Sequence, residues 1–309
     1  MPEAASIPST SLGGDQRRSG ISLGRVIGHI LIRDPGALIG GALIVALCLI
    51  ALFAPLIAPF DPTQQSIVNA FAPPSWTHWF GTDEYGRDLL SRIIYGTRPA
   101  LAVGLLSVVL AVAVGVPLGM IAGLRGGYVD LAVVGLVDIM MSFPSLLLAL
   151  MIVTLVGSGV PVLVLAIGIA NVPIFIRLAR SSTLLVRELD FVAASRTFGA
   201  RDVWVMRHHV MPNIIGPIIV MGTLNIAGAI RDEAALSFLG LGVQPPQASW
   251  GNLIREGVNG ILTAPWMVLI CGFVLALAVL AFNMIGDSIR DILDPRDVTR
   301  TTTSSLRAK

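Results

Sequence analysis

Few side chains in this sequence have types and spacings suited to covalent or metal chemistry. The single lysine, Lys309, is the last residue, so there is no G-x-x-x-x-G-K-[ST] loop to bind nucleotide phosphates. Both cysteines, Cys48 and Cys271, lie in apolar blocks, where a thiol behaves as a small hydrophobic group. The histidines do not form the H-E-x-x-H pattern of zinc enzymes; they are His29, His78, His208 and His209. The sequence therefore predicts no catalytic residue, no metal site and no cofactor in this chain.

One string does match a catalytic pattern. Gly20-Ile-Ser-Leu-Gly24 fits the G-x-S-x-G nucleophile elbow. That elbow requires a strand before the serine and a helix after it, at the top of a sheet. Here the string lies in a polar segment just before an apolar block, so we interpret it as a chance match.

The composition determines which elements could position a functional side chain. Hydrophobic residues make up 54% of the chain and charged residues 13%, whereas soluble domains carry about 25% charged residues. The apolar residues form blocks, and a helix needs ~20 of them to cross a bilayer. A net charge of +2 argues against a nucleic-acid binder, which depends on many phosphate contacts. The first block, 36–58, exceeds the roughly 7–15 apolar residues of a secretory signal, so we expect a retained anchor.

The blocks predict an all-α membrane protein with six transmembrane helices. The expected spans are 36–58, 101–124, 131–156, 160–178, 214–230 and 265–285. Such a chain lies in a membrane as a multi-pass protein in contact with lipid.

The basic residues fix the predicted orientation. With the N-terminus inside, sixteen of the 21 fall in cytoplasmic segments, Arg231 lies near an outer helix end, and four fall outside, namely Arg87, Arg92, Arg98 and Arg255. Because Lys and Arg concentrate in cytoplasmic loops, both termini and the loop 181–213 are expected in the cytoplasm.

The chain divides into four predicted regions. A polar tail occupies 1–33, the first span and an outer amphipathic segment occupy 34–95, five spans occupy 96–296, and a second tail occupies 297–309. Within the second region, Thr82 or Asp83 is expected to cap a helix. At 100° per residue its apolar face would lie on the membrane or on the bundle, with Arg87 and Arg92 on the polar face.

Four charged residues within or at the ends of the spans are candidates for a translocation path or gate. Asp138 lies inside the third predicted span, where a carboxylate costs roughly 2.5–3.5 kcal/mol. It either lines a path or, as we favour, hydrogen-bonds a neighbouring helix. Arg231, Asp232 and Glu233 end the fifth span, and a path role and an internal ion pair are equally compatible with the sequence.

The long inside loop carries a family signature. It contains Asp190-Phe-Val-Ala-Ala-Ser-Arg-Thr-Phe-Gly199 and, after nine residues, His209-Val-Met-Pro212. This resembles the E-A-A-x-x-x-G and I-x-L-P signature of bacterial binding-protein-dependent ABC importer permeases.

Further strings narrow the resemblance, across roughly residues 30–297, to the dipeptide/oligopeptide permease group. They are Gly81-Thr-Asp-Glu-Tyr-Gly-Arg-Asp88, Leu236-Ser-Phe-Leu-Gly-Leu-Gly242, Ser249-Trp-Gly251, and Asn283-x-x-Gly-Asp287 followed by Arg290-Asp291 and Asp294-Pro-Arg296.

The resemblance implies an ABC importer type I permease fold in the bacterial inner membrane. It also implies a second, non-identical permease, two ATPase subunits that bind ATP and Mg²⁺, and an extracytoplasmic solute-binding protein. In such permeases the signature loop docks into the ATPase and transmits its closure. The residues that carry this role by resemblance are Glu188, Asp190, Phe191, Ala193, Ala194, Gly199, His209 and Pro212.

This sequence departs from the signature at two positions. Ala193 stands where the signature has glutamate, so either Asp190 or Glu188 supplies the acidic contact, or the contact is absent. His209 replaces a branched aliphatic residue of the general signature, although the peptide group has histidine there.

The residues themselves allow two interpretations of the loop. A connector in water needs no apolar face, but this loop offers Phe191, Phe198, Val203 and Trp204. Exposed apolar residues in a basic loop indicate a docking surface, and we therefore favour docking.

Three classes of function compete. The favoured one is a permease subunit for peptides, with nickel or another small solute as alternative cargo. A self-contained secondary transporter or channel would need intramembrane relay acids and an inverted repeat, and the sequence shows one lone acid and no evident repeat. A membrane enzyme is opposed by the missing motifs.

Overall fold

The computed structural model describes residues 35–293, and all its regular elements are helical. The helices are α1 (Pro35–Ile57), α2 (Leu89–Arg125), α3 (Gly127–Met141), α4 (Ser145–Val156), α5 (Val160–Arg187), α6 (Asp190–Thr197), α7 (Asp202–Val205), α8 (Met211–Phe238), α9 (Trp250–Asn259) and α10 (Pro265–Leu293). A 3₁₀ turn covers Ile67–Asn69, and a π-helical turn at Met206–Val210 joins α7 to α8. The predicted tails and the Asp294-Pro-Arg296 string lie outside the described residues.

Five helices of the described chain are long and apolar enough to span a membrane, with α7 to α8 counted as one, and the number is six if a bent pair of helices counts as one span. The bent pair is α3 and α4, which meet at 86°. Pro144 stands at the start of α4, where it cannot donate a backbone hydrogen bond and disfavours helix in the residue before it. The prediction of one helix over 131–156 is therefore wrong, since two helices meet within that range.

Helices α2 and α5 form the most extensive pair in the bundle. Gly115, Gly119 and Gly123 recur every four residues on α2 and face α5. A Cβ at Gly119 would lie 2.4 Å from the carbonyl oxygen of Ile176, so only glycine permits this approach. Small residues at such spacing let membrane helices pack backbone to backbone. This stripe holds the centre of the bundle together.

The two ends of the bundle differ. The first end carries residues 58–88 and 239–264, and the second end carries the connection between α2 and α3 together with residues 188–210. At the first end α2 begins only at Leu89, with the Asp88 side chain accepting from the Ser91 backbone N–H at its N-terminus. The predicted helix cap at Thr82 or Asp83 is wrong. Residues 81–88 form an irregular loop, and the boundary drawn at residue 95 falls inside α2.

Candidate docking loop and charged clusters

The signature segment folds as a short helix that ends at a glycine. In α6, the Gly199 N–H donates to the Arg196 oxygen (2.9 Å) and the Ala200 N–H to the Ser195 oxygen (3.0 Å). Gly199 has a φ of +84°, so these two bonds form the left-handed helix end that favours glycine. The signature helix therefore ends at Gly199.

His209 joins the helix to the π-helical turn that follows it. Its Nε2 lies 2.7 Å from the Ser195 hydroxyl oxygen, and its ring lies against Phe191 and Trp204, with centroids at 5.3 and 5.0 Å. Pro212 has no N–H to donate, and its ring would clash with the carbonyl four residues back. We attribute the wider turn before α8 to this proline.

The loop presents an apolar surface. Val192 is buried against the core, whereas the Phe198 side chain is 90% exposed. A groove of about 480 Å³ lies beside it, lined by residues 195, 198–201 and 204. An exposed phenylalanine next to a groove is characteristic of a surface that binds another protein.

The remaining signature residues lie on the outside of this loop. Asp190, in the first turn of α6, Ala193 and Ala194 are all exposed. Glu188 is exposed and pairs with its neighbour Arg187 at 2.8 Å. Both acids near the signature glutamate position are therefore accessible to a partner, although Ala193 itself offers only a methyl group.

Arginines that the sequence did not single out anchor the loop to α2. The Arg187 guanidinium donates to the Gly123 carbonyl at 2.8 Å, and the Arg196 guanidinium donates to the Leu124 carbonyl at 3.2 Å. Both carbonyls belong to the last turn of α2, where oxygens lack helical partners and cations are favoured. Arg125 adds an ion pair with Asp202 at 3.0 Å. The loop is therefore attached directly to the end of α2.

Asp138 pairs with a neighbouring helix. Its Oδ1 accepts a hydrogen bond from Arg177 of α5 at 3.3 Å, and both side chains are more than half exposed. The hydrogen bond to a neighbouring helix, which the sequence analysis favoured, is therefore present. A path role stays a prediction.

The three charged residues near the end of α8 do not form one cluster of contacting side chains. Arg231 contacts Asp232 at 3.5 Å. Glu233 instead points inward, fully buried, and its Oε1 accepts from the Ser237 hydroxyl at 2.8 Å. Glu233 Oε2 has no hydrogen-bond partner in the described part of the chain. These residues stand about 30 Å along α8 from the docking loop, at 1.5 Å per residue.

A buried ion cluster at the first end went unrecognised in the sequence. Asp83, Arg87, Arg92 and Glu256 are all buried, and Arg92 contacts both acids. The two arginines were predicted to lie on the polar face of an amphipathic helix over this segment, and that prediction is wrong, since Arg87 lies before α2 and both are buried. Glu256 lies 164 residues from Arg92, so no local pattern reveals the pairing.

Two of the family strings meet beside this cluster. The Trp250 indole N–H donates to the Ile93 carbonyl at 3.1 Å. A Cβ at Gly251 would lie 2.1 Å from the Ala234 oxygen, and one at Gly242 would lie 2.0 Å from the Ser237 hydroxyl. Gly251 is therefore required by close packing between α9 and α8, and Gly242 by the return of its own string against Ser237 at the end of α8.

Most of the chain matches known protein families. Residues 115–297 match the binding-protein-dependent transport system inner membrane component, and residues 22–74 match the N-terminal TM domain of oligopeptide transport permease C. The α2–α5 glycine stripe, the docking loop and the α8–α9 contact all lie within the first match.

Curated relatives match over most of their length. The dipeptide transport system permease protein DppC of Alkalihalophilus pseudofirmus is 44% identical over 84% of this chain and 86% of that protein. The di/tripeptide transport system permease protein DppC of Pseudomonas aeruginosa is 43% identical, over 85% and 89% respectively. The glutathione transport system permease protein GsiD of Pectobacterium atrosepticum is 36% identical, over 86% and 88%.

A solved structure shares the fold at much lower identity. An inward-facing MetNI methionine ABC transporter superposes with a TM-score of 0.54 and 16% identity, over 67% of this chain and 98% of that chain. The likeness establishes the permease fold that the sequence predicted.

Proposed function

Because the chain belongs to the family of binding-protein-dependent transport system inner membrane components, we propose that it is the dipeptide-translocating permease subunit of an ATP-driven importer. It is a multi-pass protein of the inner membrane. The observation that carries the dipeptide assignment is the 44% identity to a dipeptide permease and the 43% identity to a di/tripeptide permease. The structure contributes a short helix with an exposed apolar surface, placed where this family carries its signature.

We assign the two ends of the bundle to the two sides of the membrane. The second end, with the docking loop, faces the cytoplasm, and the first end faces outward. The support is the excess of basic residues near the second end, including the arginines that anchor the loop.

The transporter requires further subunits. The docking loop of this chain binds one of two ATPases. These subunits hold ATP and Mg²⁺, since this chain has no phosphate-binding lysine loop. A second, non-identical permease completes the path, and an extracytoplasmic binding protein delivers the peptide at the first end. The chain itself acts without catalysis.

Reconstitution tests this assignment. The complete complex in liposomes is expected to take up labelled dipeptide only with ATP inside and binding protein outside, and the isolated chain is expected to hydrolyse no ATP. Dipeptide uptake driven by an ion gradient without ATP would identify a secondary transporter instead.

A further inference from the structure

A cleft at the first end of the bundle has no role in the function described so far. It measures about 790 Å³ and lies between the end of α1, the start of α2 and the loop before α9. Its lining includes Pro55, Phe60, Asp61, Tyr95, Arg98 and Gln247. One cation and one carboxylate therefore face the same space.

The cation is held at a defined depth. Arg98 Nε donates to the Ala51 carbonyl at 2.7 Å, and Nη2 lies 3.4 Å from the Leu52 carbonyl. The Ala51 oxygen is available because Pro55, four residues on, has no N–H. Arg98 is exposed, and its guanidinium carbon lies over the Tyr95 ring, 5.4 Å from the ring centroid. At 1.5 Å per residue, Ala51 lies about 9 Å inside the end of α1.

The carboxylate stands further out, because the neighbouring Phe60 N–H donates to the hydroxyl of Ser91 at 3.1 Å, and Ser91 lies about two helical turns nearer the outer end of α2 than Arg98. Asp61 follows the last residue of α1 by four positions and is exposed. Its Oδ1 accepts from the Thr63 hydroxyl at 2.6 Å and from the Thr63 N–H at 2.8 Å. These hydrogen bonds lower the pKa of Asp61, which keeps it ionised, and Oδ2 has no partner within the described chain.

We propose that this cleft binds the headgroup of a zwitterionic aminophospholipid of the outer leaflet. The phosphate accepts from the Arg98 guanidinium, which forms strong charge-assisted hydrogen bonds with such oxyanions. The ammonium, which is covalently further from the glycerol than the phosphate is, pairs with Asp61. The order of charges along the membrane normal, cation inside and carboxylate outside, is the order that this headgroup requires.

The surroundings favour a lipid over a zwitterionic peptide. The cleft opens beside the last turns of α1, where Leu52, Leu56 and Ile57 are exposed. Aliphatic side chains at this position can pack against the acyl chains of a bound lipid, whereas a short peptide has no acyl chains to cover them. The proposed lipid site rests on the proposed orientation of the bundle in the membrane but not on the proposed transport activity.

Lipid retention by the detergent-purified protein, with the subunits that accompany it, tests the site. Native mass spectrometry after incubation in mixed phosphatidylethanolamine and phosphatidylglycerol gives the number and type of lipids held. Replacing Arg98 alone would also leave the Ala51 carbonyl without a donor. The informative comparison is therefore Pro55→Ala against Pro55→Ala/Arg98→Gln, since Pro55→Ala restores a backbone N–H.

We expect the double variant to retain about fivefold less phosphatidylethanolamine than Pro55→Ala, given the strength of a charge-assisted contact. Asp61→Asn is expected to bring the retention of phosphatidylethanolamine down to that of phosphatidylglycerol, which has no amine. Arg290→Gln, an exposed arginine in the last turn of α10 at the other end of the protein, is the control and is expected to change neither. Equal retention by the two Pro55 variants, or displacement of the lipid by a dipeptide, would overturn the proposal. Because no transport is measured, its failure is distinct from failure of the assigned function.

Discussion

Arg92 Nη1 lies 2.5 Å from Glu256 Oε2, joining the start of α2 to α9 across 164 residues of sequence. Both side chains are buried, at 1% and 7% exposure. Arg92 also contacts Asp83. One guanidinium therefore joins the loop before α2 to α9. The relative positions of these three segments depend on a cluster in which each charge is needed to neutralise the others.

Removing one charge from this cluster is expected to be costly. Glu256→Ala leaves Arg92 with a buried and partly uncompensated charge, a loss that amounts to ~3–5 kcal/mol in comparable sites. Glu256→Gln retains the shape and one acceptor oxygen, so its cost is expected to be smaller. Thermal unfolding of the purified protein measures both. An unchanged midpoint in Glu256→Ala would show that the cluster contributes nothing to stability.

The glycine stripe on α2 gives a second prediction. A Cβ at Gly119 meets the Ile176 oxygen at 2.4 Å, whereas one at Gly135 of α3 meets nothing within 4 Å. We expect Gly119→Val to separate α2 from α5 and to lower the yield of folded protein, because overpacking costs ~1–3 kcal/mol or more. Gly135→Val, the same change in another helix, is the matched control. Equal yields and equal unfolding temperatures would contradict the packing argument.

The apolar blocks and the signature loop were predictable because both are local. Consecutive residues are enough to recognise a block that can span a membrane and a short helix that ends at Gly199. The cluster of Arg92 and Glu256 was not predictable, since the same charges fit a solvated helix face until their distant partner is known. The break at Pro144 was visible as a proline, but proline also occurs within intact membrane helices. Only the packing of neighbouring helices decides between a kink and a break.

The orientation of the bundle can be tested by thiol labelling. In a variant without Cys48 and Cys271, we expect a cysteine introduced by Trp76→Cys to react with a membrane-impermeant maleimide in intact cells, because Trp76 is 98% exposed at the first end. Phe198→Cys, comparably exposed at the second end, is expected to react only after the cells are opened. The reverse pattern would invert the assignment of the two sides.

Gly199 gives a test of the docking loop that depends on backbone conformation alone. Since nothing lies within 4 Å of a Cβ at this position and φ is +84°, a substitution is resisted by backbone strain rather than by a clash. Gly199→Val is expected to destabilise this helix end by ~1–2 kcal/mol or more and to lower ATP-driven uptake while the subunit still inserts. Gly199→Asn, which tolerates positive φ better, is expected to keep most of the activity. Normal uptake in Gly199→Val would show that the shape of this turn does not matter for coupling.

The contact between Ser195 and His209 tests whether the loop acts as one rigid unit. The 2.7 Å hydrogen bond and the flanking Phe191 and Trp204 rings fix the angle between α6 and the π-helical turn. Because a neutral hydrogen bond of this kind contributes about 0.5–1.5 kcal/mol, His209→Ala is expected to leave the complex assembled but to reduce the dipeptide moved per ATP hydrolysed. His209→Gln can still bond the Ser195 hydroxyl, so it is expected to restore part of that ratio, whereas Ser195→Ala is expected to resemble His209→Ala. The measurement is uptake and ATP hydrolysis on the same proteoliposomes, with His208→Ala as control, since His208 stacks on Trp204 and does not reach Ser195. If His209→Ala and His209→Gln give the same ratio as the unmodified protein, the loop transmits closure without this hydrogen bond.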